Sequence, residues 1–161
     1  MRQEAGITLI ELVLIIVLIG LVVPPLLTVF SDITRRSAQA ELISTANALT
    51  RSLLEEIVSK KYDEKNSSPW SNPLGADSGE TNRDAYDDVD DFDGFSEPSV
   101  PGFPGFSRSV TVYYVNPDSS NLDTPQPDSC NTLDYKRVDV TVNHQLIGDL
   151  KMSSIVSRSH F

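Results

Sequence analysis

Residues 7–30 read Ile7-Thr8-Leu9-Ile10-Glu11-Leu12-Val13-Leu14-Ile15-Ile16-Val17-Leu18-Ile19-Gly20-Leu21-Val22-Val23-Pro24-Pro25-Leu26-Leu27-Thr28-Val29-Phe30, and Glu11 is the only one that can carry charge. At about 1.5 Å per residue a helix of this length crosses a hydrocarbon core of about 30 Å. The stretch therefore predicts a membrane span, preceded by the short segment 1–6 with Arg2 as its positive residue. The nearest small-x-small cleavage site, Ala38-Gln39-Ala40, lies well past the apolar run and behind Arg35-Arg36, so an ordinary secretory signal fits poorly. Arg35-Arg36 taken alone would favour the reverse orientation across the membrane. An ionised carboxylate near the start of a spanning helix costs several kcal/mol unless it is partnered. The span holds no Lys, Arg or His. The expected partner of Glu11 is thus a backbone group, another chain, or a terminus made by processing.

Beyond Phe30 the apolar residues Ile33, Ala40, Leu42, Ile43, Ala46, Leu49, Leu53, Leu54, Ile57 and Val58 recur at three- and four-residue spacings. They extend the span into an amphipathic helix over 31–62, ending where the charged run Asp63-Glu64-Lys65 begins. Pro24-Pro25 removes backbone donors and predicts a kink or local melting near Val22 to Leu26; a helix end at the membrane surface is the alternative. Downstream, Ser109 to Val115 and Tyr135 to Val142 are β-branched runs, the second placing Val138, Val140 and Val142 on one face. A third strand is expected over Leu150 to Val156, after a turn near Ile147-Gly148-Asp149. Pro117 to Thr132 reads as a long surface loop. The whole is an α+β chain: a segment 1–6, a span over 7–30, an amphipathic helix over 31–62, and a head over 63–161 whose small antiparallel sheet covers the amphipathic helix.

The run Gly6-Ile7-Thr8-Leu9-Ile10-Glu11-Leu12 resembles the processing motif of the type IV pilin superfamily. The resemblance implies that a prepilin peptidase cuts between Gly6 and Ile7 and that Ile7 becomes a methylated N-terminal amine. It also implies that Glu11, then the fifth residue, pairs with the amine of a neighbouring subunit in a filament. Such a buried pair specifies register more than it stabilises, because desolvation consumes most of the Coulomb gain. Major pilins usually begin with Phe, so Ile7 points to a minor pilin or a minor pseudopilin of a type II secretion system. Implied partners are other pilin subunits, the prepilin peptidase and an inner-membrane assembly platform, with the head periplasmic and the subunit extracellular when built into a pilus. A signal-anchored periplasmic binding or sensor module is the reading from a different class.

The densest charge lies in Tyr86-Asp87-Asp88-Val89-Asp90-Asp91-Phe92-Asp93-Gly94-Phe95. Asp87, Asp88, Asp90, Asp91 and Asp93 are candidate calcium ligands, although Val89 and the lack of a closing Glu break the EF-hand pattern. The competing reading is a solvated or capped loop, the usual fate of a charge run. The stretch resembles one found in minor pilins of the mannose-sensitive haemagglutinin type, which implies a structural loop anchored on the sheet by Phe92 and Phe95. The segment Glu97 to Phe106 mixes Pro, Gly and Phe, as an anchored loop or a subunit contact would.

A net charge of −10 without clustered Lys or Arg argues against a nucleic-acid partner. Cys130 is the lone cysteine, so no internal disulfide is expected. His144 and His160 sit in no nucleophile, metal or acid–base signature, and no enzymatic activity or obligatory cofactor is expected.

Overall fold

The computed structural model describes residues 8–119 and 121–158. The chain divides into two units, Met1–Glu41 and Leu42–Phe161, each with its own internal contacts. One helix, α1 (Leu9–Val58), contributes to both.

In the first unit every described residue is exposed. Thr8 caps the helix, its Oγ1 accepting the Glu11 N–H at 3.3 Å. Helical structure continues through Pro24 and Pro25, so the helix does not end or melt there. The Thr28 hydroxyl donates to the Pro25 carbonyl at 2.8 Å, within the segment where proline has removed regular donors.

The second unit is an α+β domain. Its sheet has the order β1-β2-β3-β4, antiparallel throughout, from β1 (Ser96–Glu97), β2 (Phe106–Tyr114), β3 (Tyr135–His144) and β4 (Gly148–Ser157). The three longer strands fall where the β-branched runs predict them. β1 is additional: two residues of the Pro- and Gly-rich stretch pair with Arg108 and Ser109. The β3–β4 turn occupies residues 145–147, and Gly148, at φ +76°, opens β4. That left-handed conformation suits glycine.

Leu53 and Ile57 of α1 pack on Val110, Val112, Val138, Val140 and Val156, together with Tyr62, Trp70, Val89, Phe92 and Tyr114. A second cluster joins Ala46 and Leu49 to Val100, Phe106 and Val142. Burial on α1 begins only at Ala46, so Ile33 and Ile43, counted by spacing among the amphipathic positions, are exposed. The helix also stops at Val58, short of the expected 62. Lys61 instead leaves the helix to bridge Asp88, its carbonyl accepting the Val89 N–H at 3.0 Å.

Candidate functional site

Two places hold residues singled out by sequence: the start of α1 and the acidic loop. Gly6 and Ile7 lie outside the described residues, as does His160. Glu11 sits in the first turn of α1, where the helix dipole favours a carboxylate. The Thr8-x-x-Glu11 spacing is that of a capping box, a signal the processing motif hides. Around Glu11 the helix is apolar. Leu9, Ile10, Leu21, Leu27 and Phe30 are more than 60% exposed, and the most hydropathic 18-residue window of α1 is wholly unburied. Among the described residues this is the one helix long and apolar enough to cross a membrane.

The acidic loop is a capped loop and not an EF-hand: Asp87 is exposed, and its neighbours turn their carboxylates onto the backbone. Asp88, Asp90 and Asp91 are buried, and the carboxylates of Asp88 and Asp91 take the place of a strand ladder. Asp88 Oδ1 accepts the N–H groups of Asp90 (2.8 Å) and Asp91 (3.3 Å), while its Oδ2 accepts that of Glu64 (2.8 Å). Asp91 Oδ2 accepts those of Asp87 (2.9 Å) and Asp88 (3.0 Å). Asp93 Oδ1 accepts Val112 N–H at 2.8 Å, tying the loop to β2. Phe92 is fully buried in the core, and Tyr86 meets it edge-on at 5.0 Å between centroids, with Phe95 at 6.2 Å. Both phenylalanines thus anchor the loop as expected.

Charge crowding leaves its mark on this loop. Burial first, then the side chains of Asp90 and Asp91, pushes the Asp88 carboxyl up to about 9. A hydrogen bond with Asp77, then burial and the charges of Asp77, Asp91 and Asp87, raises Glu64 to about 7. Two triplets, Glu64–Asp87–Asp88 and Glu80–Asp87–Asp91, bring carboxylate oxygens within 4.8 Å of one another, a spacing that suits a hard cation. Of the five sequence candidates, Asp87, Asp88 and Asp91 join these triplets. Asp90 turns instead to Lys136, and Asp93 to the backbone of β2.

The residue that sequence reading missed is Lys136. It follows the same alternation as Val138, Val140 and Val142, so its side chain enters the core, where it is wholly buried. Its Nζ donates to the Tyr62 carbonyl (2.8 Å), Asp63 Oδ2 (3.0 Å) and Asp90 Oδ1 (2.5 Å). It also lies 4.4 Å from the centre of the Tyr62 ring and 5.6 Å from that of Tyr114. Three acceptors satisfy an ammonium completely, as burial requires. Asp63, which sequence places in a charged loop, is as buried as Lys136. Burial raises its carboxyl, but the Ser71 N–H, the Lys136 ammonium and the Lys65 N–H outweigh that and hold it below its usual value. The strand period was the available signal: position 136 shares the parity of three core valines.

His144 has no polar partner set suited to catalysis. Its ring packs on Phe106 at 4.5 Å, and Nδ1 accepts the Leu146 N–H at 3.2 Å. Cys130 is half-buried and free in a short turn whose N–H bonds to Pro127.

These features define an α+β domain continuous in sequence with an exposed apolar helix. Comparison with protein families, curated proteins and solved structures gives no match.

Proposed function

We propose that the chain is a minor pilin, a subunit that joins a type IV pilus through α1 after removal of residues 1–6. The observation that carries this reading is the first half of α1: an unburied apolar helix with one carboxylate, Glu11, in its first turn. An isolated intramembrane carboxylate is expensive and calls for a partner. A processed Ile7 amine on a neighbouring subunit supplies one at the depth of Glu11. The second unit has no catalytic constellation among the described residues and serves in this reading as the part displayed beyond the membrane. Assembly partners are other pilin subunits, the prepilin peptidase and the inner-membrane platform.

The test is the N-terminal mass of protein recovered from membranes with and without the peptidase. A chain beginning at methylated Ile7 is expected, with Gly6→Ala blocking maturation and Glu11→Ala impairing incorporation into filaments. An intact Met1 together with normal behaviour of both variants refutes the proposal and leaves a signal-anchored module. Deleting the gene separates the two hosts: loss of pili supports the minor pilin, whereas loss of type II secretion assigns the same helix chemistry to a pseudopilin.

A further inference from the structure

The Lys136 triad joins three segments far apart in sequence within an aromatic cage. We propose that it is a site of autocatalytic amide formation, in which Lys136 Nζ becomes covalently joined to Asp90 Cγ. The observations are geometric. Lys136 Nζ lies 2.5 Å from Asp90 Oδ1, one bond away from the carboxyl carbon it would attack. Lys136 is fully buried, and the Asp63 and Asp90 side chains are 0% and 4% exposed. Tyr62, Tyr114, Trp70 and Phe92 belong to the surrounding core.

The two carboxylates differ in a way that assigns their roles. Asp63 is held by Ser71 N–H (2.9 Å), Ser71 Oγ (3.1 Å) and Lys65 N–H (3.0 Å), which fix it as an anion. Asp90 Oδ1 faces the Lys136 nitrogen, while the backbone of Asp90 is clamped by Asp88 and Gly75. Asp63 is therefore the standing counter-ion of the ammonium, and Asp90 supplies the acceptor carbon.

The step balances without another reactant. A proton moves from the ammonium directly to the Asp90 carboxylate across their 2.5 Å contact. The freed amine lone pair attacks Asp90 Cγ, and a C–N bond forms. The C–O bond of Asp90 breaks, and its oxygen leaves as water with the second proton from nitrogen. Asp63 ends unchanged. Two terms favour the reaction here and not in bulk water: the reactants are already held in contact, and a buried ion pair becomes a neutral amide. A cleft of about 350 Å³ lined by Tyr62, Asp63, Lys65 and Trp70 lies on the Asp63 side of the triad.

Intact mass spectrometry of the full chain, purified in detergent, tests the proposal. The expected mass lies one water below that of the processed sequence, and digestion yields one branched peptide joining the segments around Asp90 and Lys136. Lys136→Arg, which keeps the cation, restores the full mass. A dehydrated Asp93-Gly94 would also remove one water but would persist in Lys136→Arg, an outcome that overturns the proposal. Asp90→Asn provides a second reading if the arginine variant fails to fold, because amide exchange there releases ammonia and the deficit changes accordingly. Wild-type protein that keeps its full mass after prolonged incubation shows an ordinary ion triad and refutes the link.

Discussion

Replacing Asp88 separates two explanations of the acidic loop, as wiring for the backbone or as a reservoir of charge. In Asp88→Ala the buried N–H groups of Asp90 and Asp91 lose their acceptor, and so does the Glu64 N–H. Each buried donor left unsatisfied costs about 1–3 kcal/mol, so the two deepest together predict a loss of about 2–6 kcal/mol. Glu64 is exposed and can turn to water, which keeps it out of this range. Asp88→Asn retains an oxygen at the Oδ1 position and mimics the protonated carboxyl without being able to ionise, so its expected cost is below about 1 kcal/mol. The two variants also differ with pH. Since the folded protein lifts the Asp88 carboxyl to about 9, well above an unfolded aspartate, the native state holds the proton more tightly. That contribution is complete at low pH, below the unfolded value, and is lost as pH rises toward about 9. Asp88→Asn should flatten this slope. The assay is urea unfolding of the full chain in detergent, read from the fluorescence of Trp70, the single tryptophan, which is buried against Tyr62. An alanine variant within about 0.5 kcal/mol of wild type, or an asparagine variant as costly as alanine, would refute the wiring account.

Leu53→Ala, at a fully buried contact between α1 and the sheet, should cost about 2–5 kcal/mol in the same unfolding assay. Gly105→Ala should lower stability by about 1–3 kcal/mol: Gly105 sits at φ +82°, and an added Cβ would meet His144 Nε2 at 2.9 Å. The companion His144→Ala makes room for it and should recover part of that loss. Glu64, raised to about 7, favours the folded state when protonated; its contribution is full below the unfolded glutamate value and fades as pH rises through 7. Glu64→Gln should therefore reduce the fall in urea midpoint between about pH 5 and about pH 8, and an unchanged profile would place the titration elsewhere.

Periodicity made the α+β plan legible, because it is a local property: an apolar run and strict alternation at Val138, Val140 and Val142 need no knowledge of their neighbours. What it could not supply was the pairing of charges. Lys136 obeys the strand period yet is a residue seldom buried, so its place in the core depends on Asp63 and Asp90, many residues away in sequence. The acidic loop misleads for the same reason. Charge density suggests solvent or an ion, whereas Asp88 and Asp91 spend their oxygens on backbone donors. Ile33 and Ile43 show the converse failure, since helical spacing marks a face without saying how far along the helix the sheet extends. Two residues of β1 carry too short a pattern to be seen at all.

The stretch from Tyr62 to Phe95 connects α1 to the sheet with no strand of its own and only short helical turns, held in place by side-chain carboxylates. Substitution tolerance along the chain is accordingly inverted from the usual division between loops and cores. Asp88 and Asp91 have the constraint of interior valines, for a donor in need of an oxygen is as exacting as a cavity in need of a methyl group. Surface drift in this chain is thus channelled away from its most polar segment.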